Sequence, residues 1–191
     1  MRSLLAAALL LSLPLAAHAQ GKKPVNIALE TSLGTVTLEL YPDKAPDTVA
    51  NFVQYVKAGH YDGTVFHRVI KGFMIQGGGY DPSYGQRPTR TPVKNEAGNG
   101  LKNVRGSVAM ARTGDPHSAT AQFFINHADN GFLDHPGRDG WGYAVFGKVT
   151  EGMDVVDKIA ATPTGATPPF GRDVPLTAVL IRKATVLEPK K

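Results

Sequence analysis

The stretch Phe66-His67-Arg68-Val69-Ile70-Lys71-Gly72-Phe73-Met74-Ile75-Gln76-Gly77-Gly78 decides how this chain reads. Residues 64–70 and 73–77 are strand-like, and they set one arginine and one glutamine among aromatic and sulfur side chains. Strand alternation need not place His67, Val69 and Met74 on the face of Arg68, Phe73 and Gln76. Such a surface can grip something apolar and still offer a few directed hydrogen bonds. Taken alone, an arginine on a strand reads as a solvated charge, so the weight falls on what surrounds this stretch.

Outward from it, the pattern is mainly β. Val25, Ile27 and Leu29, then Val36, Leu38 and Leu40, alternate on either side of Ser32-Leu33-Gly34, which predicts a hairpin. Pro46 or Asp47 opens a helix with Val49, Phe52, Val53 and Val56 on one stripe, and Gly59 ends it. Residues 78–92 form a long loop rich in Gly, Pro, Ser and Tyr, a length usually reserved for function. Further strands are expected at 107–111, 122–126, 143–149 and 176–186, a second helix at 152–160, and a loop at 161–174. Many short strands with two one-sided helices argue for an antiparallel barrel or a sandwich; the pattern alone leaves the two even.

Residues 1–19 read as a secretory leader. Arg2 supplies the positive start, residues 4–15 the apolar run, and Ala17-His18-Ala19 the small-residue site, with the cut between Ala19 and Gln20. The run is too short to span a bilayer. Its short form suggests a bacterial export route and a periplasmic destination, with secretion as the other possibility. A polar lead at 20–24, one domain at 25–187 and a tail at 188–191 complete the expected organisation. With no cysteine in the chain, no disulfide can form in an oxidising compartment. The formal charge of +5 includes Arg2, and the basic residues are scattered, which does not make a nucleic-acid footprint.

Three later segments give the opening stretch its company: Gly106-Ser107-Val108-Ala109-Met110-Ala111, Gln122-Phe123-Phe124-Ile125, and Phe146-Gly147-Lys148-Val149 followed by Glu151-Gly152-Met153. With these, in this order and spacing, the chain resembles the cyclophilins, the peptidyl-prolyl cis-trans isomerases, from about residue 25 to residue 186. Any one segment could arise by chance; together they are specific. The resemblance implies a closed eight-stranded antiparallel β-barrel capped by two helices. It implies that Arg68 is the catalytic arginine, that Phe73, Met74, Phe124 and Leu133 hold the proline ring, and that Gln76 orients the substrate backbone and helps hold the arginine. Ala111 and Arg112 match a groove wall for an extended peptide, with Gln122 along it, and His67 reads as a supporting residue that does not act as a base. Clients would be unfolded or proline-containing polypeptides, the protein a monomer, and no cofactor or metal would be needed.

Two positions depart from many eukaryotic members. Phe132 stands where they carry tryptophan and Tyr143 where they carry histidine. Phe132 keeps an aromatic wall and loses an indole N–H donor, which predicts weak cyclosporin binding. Tyr143 puts the histidine's contact in doubt. Both departures look like the bacterial exported branch.

Other classes fit less well. The histidines have no cysteine partners and no zinc-type spacing. Gly77-Gly78-Gly79 lacks a Walker lysine, and no G-x-S-x-G elbow exists. A structural or adhesive β-domain would leave the Arg68 constellation unexplained. The serious rival is a non-catalytic chaperone that holds proline-containing segments in the same groove. Arg68 discriminates: a pure binder needs the apolar pocket but not a guanidinium.

Overall fold

The computed structural model describes residues 21–188; the leader and most of the tail expected from the sequence lie outside them. Eight strands close a barrel: β1 (Val25–Thr31), β2 (Gly34–Leu40), β3 (Thr64–Ile70), β4 (Met74–Gly77), β5 (Ser107–Met110), β6 (Phe123–Asn126), β7 (Val145–Glu151) and β10 (Leu180–Leu187). Around the barrel they run β1-β10-β3-β4-β6-β5-β7-β2, every neighbour antiparallel, with β2 returning to β1. The β1–β2 hairpin follows its alternation: Ile27, Leu29, Val36, Leu38 and Leu40 are all fully buried.

Two helices add their apolar stripes to this core. Helix α1 (Pro46–Lys57) begins with proline at its first turn, where a missing N–H costs nothing. Its orphan donors at Asp47 and Thr48 are taken up by the Glu96 carboxylate, far along the chain, at 3.2 and 2.8 Å. Ala58 caps its end and Gly59 follows at φ +66°, the left-handed position that favours glycine. Its Phe52 ring packs on Tyr61, Phe146 and Phe123 at centroid distances of 4.9, 5.2 and 5.4 Å. Burying each such ring stabilises the fold by roughly 1.5–3 kcal/mol. Helix α2 (Met153–Ala160) buries Val155, Val156 and Ile159 in the same cluster.

The sequence pattern misses one hairpin. The expected loop at 161–174 contains β8 (Thr164–Thr167) and β9 (Phe170–Pro175), paired apart from the barrel. None of the β8 residues is buried, so no apolar alternation marks it. The last barrel strand correspondingly starts at Leu180 and not at 176, where Leu176 is exposed. Tyr143 likewise precedes β7 and lies in a loop.

Candidate active site

Alternation sorts the barrel wall into two apolar clusters. Ile75, Val108, Met110, Phe123, Ile125 and Phe146 point into the main core. Their neighbours Met74, Ala109, Phe124 and Val145 form a second cluster on the other side of the sheet, joined by Phe73, Leu133 and Tyr143. Register aligns the second set. Arg68 pairs with Gln76, Gln76 with Phe124, Phe124 with Ala109, and Ala109 with Val145, so one cross-strand row runs over five strands. Met74 and Gln76 are two residues apart in β4 and share this face, contrary to the grouping suggested by the sequence.

Arg68 reaches this face through a β-bulge. Phe66 pairs with Gly77 and Arg68 with Gln76, leaving His67 as the extra residue. Phe66 and Val69 both enter the core while Arg68 lines the site. The pocket is about 110 Å³, lined by Arg68, Phe73, Met74, Gln76, Ala111, Arg112, Phe124, Leu133 and Tyr143. It is well below the size that takes a drug-sized ligand and suits a single side-chain ring. A larger, open groove of about 550 Å³ runs along α1 beside residues 90–94, but its lining of Asp47, Asn51, Gln54, Arg90 and Lys94 is mostly polar.

The two arginines of the pocket differ in what their donors do. Arg112 is spent. Its side chain is 3 % exposed, it donates to the carbonyls of Thr113 (3.0 Å) and Gly142 (3.1 Å), pairs with Asp139, and lies over the Tyr143 ring at 4.4 Å. Asp139 also accepts from the Trp141 and Gly142 N–H groups at 3.0 Å. These bonds, the Gly142 N–H first and then Arg112, hold its carboxyl well below the usual carboxylate range. Gly142 is buried at φ +71°, and a Cβ there would sit 2.6 Å from the His135 nitrogen, so only glycine fits this tie point. Arg112 therefore braces the loop that carries Leu133 and Tyr143. The Arg68 guanidinium, by contrast, has no hydrogen-bond partner and no carboxylate among the described residues; its Cζ lies 5.9 Å from the Phe73 ring centre.

Gln76 does not hold Arg68, as the resemblance implied. It donates from Nε2 to Gln122 Oε1 at 2.9 Å. Ala111 lines the pocket, though its N–H is already given to the Gln122 carbonyl at 3.0 Å. Gln122 lines an adjoining cavity of about 350 Å³ with Gln86, Thr89, Thr113, Ser118 and Thr120, which shares Gln76, Ala111 and Arg112 with the pocket. Sequence reasoning missed those five; polar residues in loops carry no periodicity to betray them. Phe132 lies outside the pocket lining and stacks on Phe73 at 5.7 Å.

His67 is 3 % exposed, with Tyr80 and Phe170 rings at 4.6 and 5.4 Å and no partner for Nδ1. Burial, with a smaller contribution from the neighbouring Arg68 charge, pushes its pKa down to about 4. It is neutral at ordinary pH.

Residues 26–186 match the family described as cyclophilin type peptidyl-prolyl cis-trans isomerase. The chain belongs to this family. It is 57 % identical over 164 residues to peptidyl-prolyl cis-trans isomerase cyp18 of Streptomyces antibioticus, covering 85 % of this chain and 98 % of that one. Peptidyl-prolyl cis-trans isomerase B of Escherichia coli K12 is 54 % identical over 164 residues, with 85 % and 99 % covered. A crystal structure of a cyclophilin-type isomerase from Cryptosporidium parvum superposes with a TM-score of 0.70 at 26 % identity, covering 87 % of this chain and 99 % of that one. The same relative has also been solved in the presence of the dipeptide Ala-Pro, with a TM-score of 0.69. This cyclophilin is thus an isomerase of Xaa-Pro peptide bonds.

Proposed function

We propose that catalysis rests on a hydrogen bond from the Arg68 guanidinium to the prolyl nitrogen, with the proline ring held among Phe73, Met74, Phe124 and Leu133. The observation that carries this reading is a guanidinium uncommitted among the described residues, at a ring-sized pocket that Phe73, Met74, Phe124 and Leu133 line with apolar side chains.

Amide resonance gives the bond a rotation barrier of ~18–20 kcal/mol. In the planar ground state the nitrogen lone pair is delocalised and accepts poorly. As the bond twists, the pair localises and becomes an acceptor. A donor that is always charged stabilises the twisted state selectively and leaves the ground state nearly untouched. Rotation makes and breaks no covalent bond and moves no proton, so the chemistry asks for no metal, cofactor or base. Gln76, steadied by Gln122, would orient the substrate backbone, and the adjoining cavity would take residues flanking the proline. A pure holdase would have no use for a free guanidinium, which favours the enzyme.

The leader expected at 1–19 supports a role in the periplasm on unfolded or proline-containing exported polypeptides, and the protein acts as a monomer in this reading. The test is cis-trans exchange of a short Ala-Pro-Phe-type peptide by NMR. Wild type should accelerate exchange and Arg68→Ala should lose about tenfold or more, with its fold intact. Binding without acceleration by wild type would hand the reading to the holdase.

A further inference from the structure

Beside the pocket lie two side chains the isomerisation step does not use, Phe132 and Arg138. Phe132 is 50 % exposed, stacked on Phe73 with ring centres 5.7 Å apart and planes at 22°. The Arg138 Cζ lies 5.8 Å from the Phe132 ring centre, as that of Arg68 lies 5.9 Å from Phe73. The order across the surface is guanidinium, ring, ring, guanidinium. Among the described residues neither arginine is paired with a carboxylate. The nearby acids are already engaged: Asp134 holds Lys102 and Asn103, and Asp139 holds Arg112. The exposed Phe132 ring, backed by the half-buried Phe73 ring and flanked by two cations, forms an amphipathic ledge with a positive potential.

We infer that this ledge is a subsite for a carboxylate-bearing residue of the substrate close to the proline, and that it makes the enzyme favour acidic flanks over basic ones. The inference rests on the isomerase reading, because it needs the proline seated in the pocket. An extended chain advances about 3.3 Å per residue, so a side chain one to three positions from the proline spans the stack. The methylene of Asp or Glu lies on the rings while its carboxylate accepts from Arg138, a weakly hydrated donor with a planar fork. A lysine in the same place meets the Arg138 cation. The pairing is exposed, so the preference weakens with salt.

The experiment compares kcat/KM at low ionic strength for Ala-Pro peptides carrying Glu, Gln or Lys at each of the three positions on either side of the proline. Variants are Arg138→Glu and Arg138→Gln, with Arg182→Glu on the exposed side of β10 making the same charge change elsewhere. At one position or more, wild type should turn over the Glu peptide about threefold or more faster than the Lys peptide. That ratio should fall toward one in Arg138→Gln, invert in Arg138→Glu, and hold in Arg182→Glu. An equal rate for Glu and Lys peptides at every position overturns the inference, as does a preference that survives Arg138→Glu or that Arg182→Glu abolishes equally well. Wild-type turnover of the neutral Gln peptide separates the two readings. If that is absent, the isomerase mechanism has failed; if it is present without charge preference, only the ledge has.

Discussion

Phe66 and Arg68 stand two residues apart in β3 and face opposite sides of the barrel wall. Phe66 is buried in the core and Arg68 lines the pocket. Regular alternation would put them on one face. The bulge at His67 separates them, and it bends the strand where the guanidinium must be aimed. The residue that makes the bulge occupies a dry niche under Tyr80 and Phe170, and this has a thermodynamic consequence.

His67 is neutral when folded, with a pKa near 4, and titrates near the ordinary 6.5 when unfolded. Between those values the unfolded chain binds the extra proton. Stability from this group is therefore complete above about pH 6.5 and is lost as pH falls toward 4, by about 3 kcal/mol in all. Urea unfolding at pH 7.5 and pH 4.5 should show most of that loss in wild type and little of it in His67→Phe. Parallel losses in the two proteins would mean that the imidazole is not held neutral by burial.

The Asp139 clamp should act on binding more than on chemistry. In Asp139→Ala the Arg112 guanidinium loses its counter-charge and the loop bearing Leu133 and Tyr143 loses two N–H anchors. KM should rise about three- to tenfold while kcat changes less than about twofold. Trp141, the single tryptophan, sits in this loop, so its emission should shift in the variant and partly recover on adding proline peptide. An emission shift with unchanged KM would show that the loop moves without moving the pocket.

Gln76 and Gln122 act as one unit if their 2.9 Å bond fixes the substrate-facing amide. Each single change to alanine should then lower kcat/KM, and the double variant should lose little more than the worse single one. A coupling of about 1 kcal/mol is expected from the double-mutant cycle. Strict additivity would assign the two glutamines to independent contacts.

Phe132 offers a ring and no N–H donor at the pocket's edge. Cyclosporin should bind weakly to wild type, and Phe132→Trp should tighten it about tenfold, one hydrogen bond's worth. Calorimetry decides this; equal affinities would place the determinant elsewhere.

Much of this was legible in the chain. Alternation at residues 25–40 and the stripe of α1 are local patterns, set by the geometry of a strand or a helix within a few residues. The site residues were legible through motif resemblance, because Phe73, Met74 and Phe124 lie in segments of fixed spacing and Leu133 matches between two of them, and the structure brings all four to one pocket. The β8–β9 hairpin was not legible, since its strands carry no apolar alternation and its packing comes from Phe170 meeting His67 and Tyr80.

By itself, then, the sequence determined which elements form and which side chains are available to the chemistry. Tertiary structure decided that the sheet closes into a barrel and not a sandwich, and that one row of paired residues crosses five strands from Arg68 to Val145. It also decided which arginine is free. Arg68 and Arg112 are alike as letters, and they diverge because Asp139, Gly142 and Tyr143 reach Arg112 from some thirty positions on, whereas among the described residues no carboxylate or carbonyl accepts from the Arg68 guanidinium. Strand closure, register and hydrogen-bond saturation depend on partners distant in the chain, and no local pattern of residues encodes them.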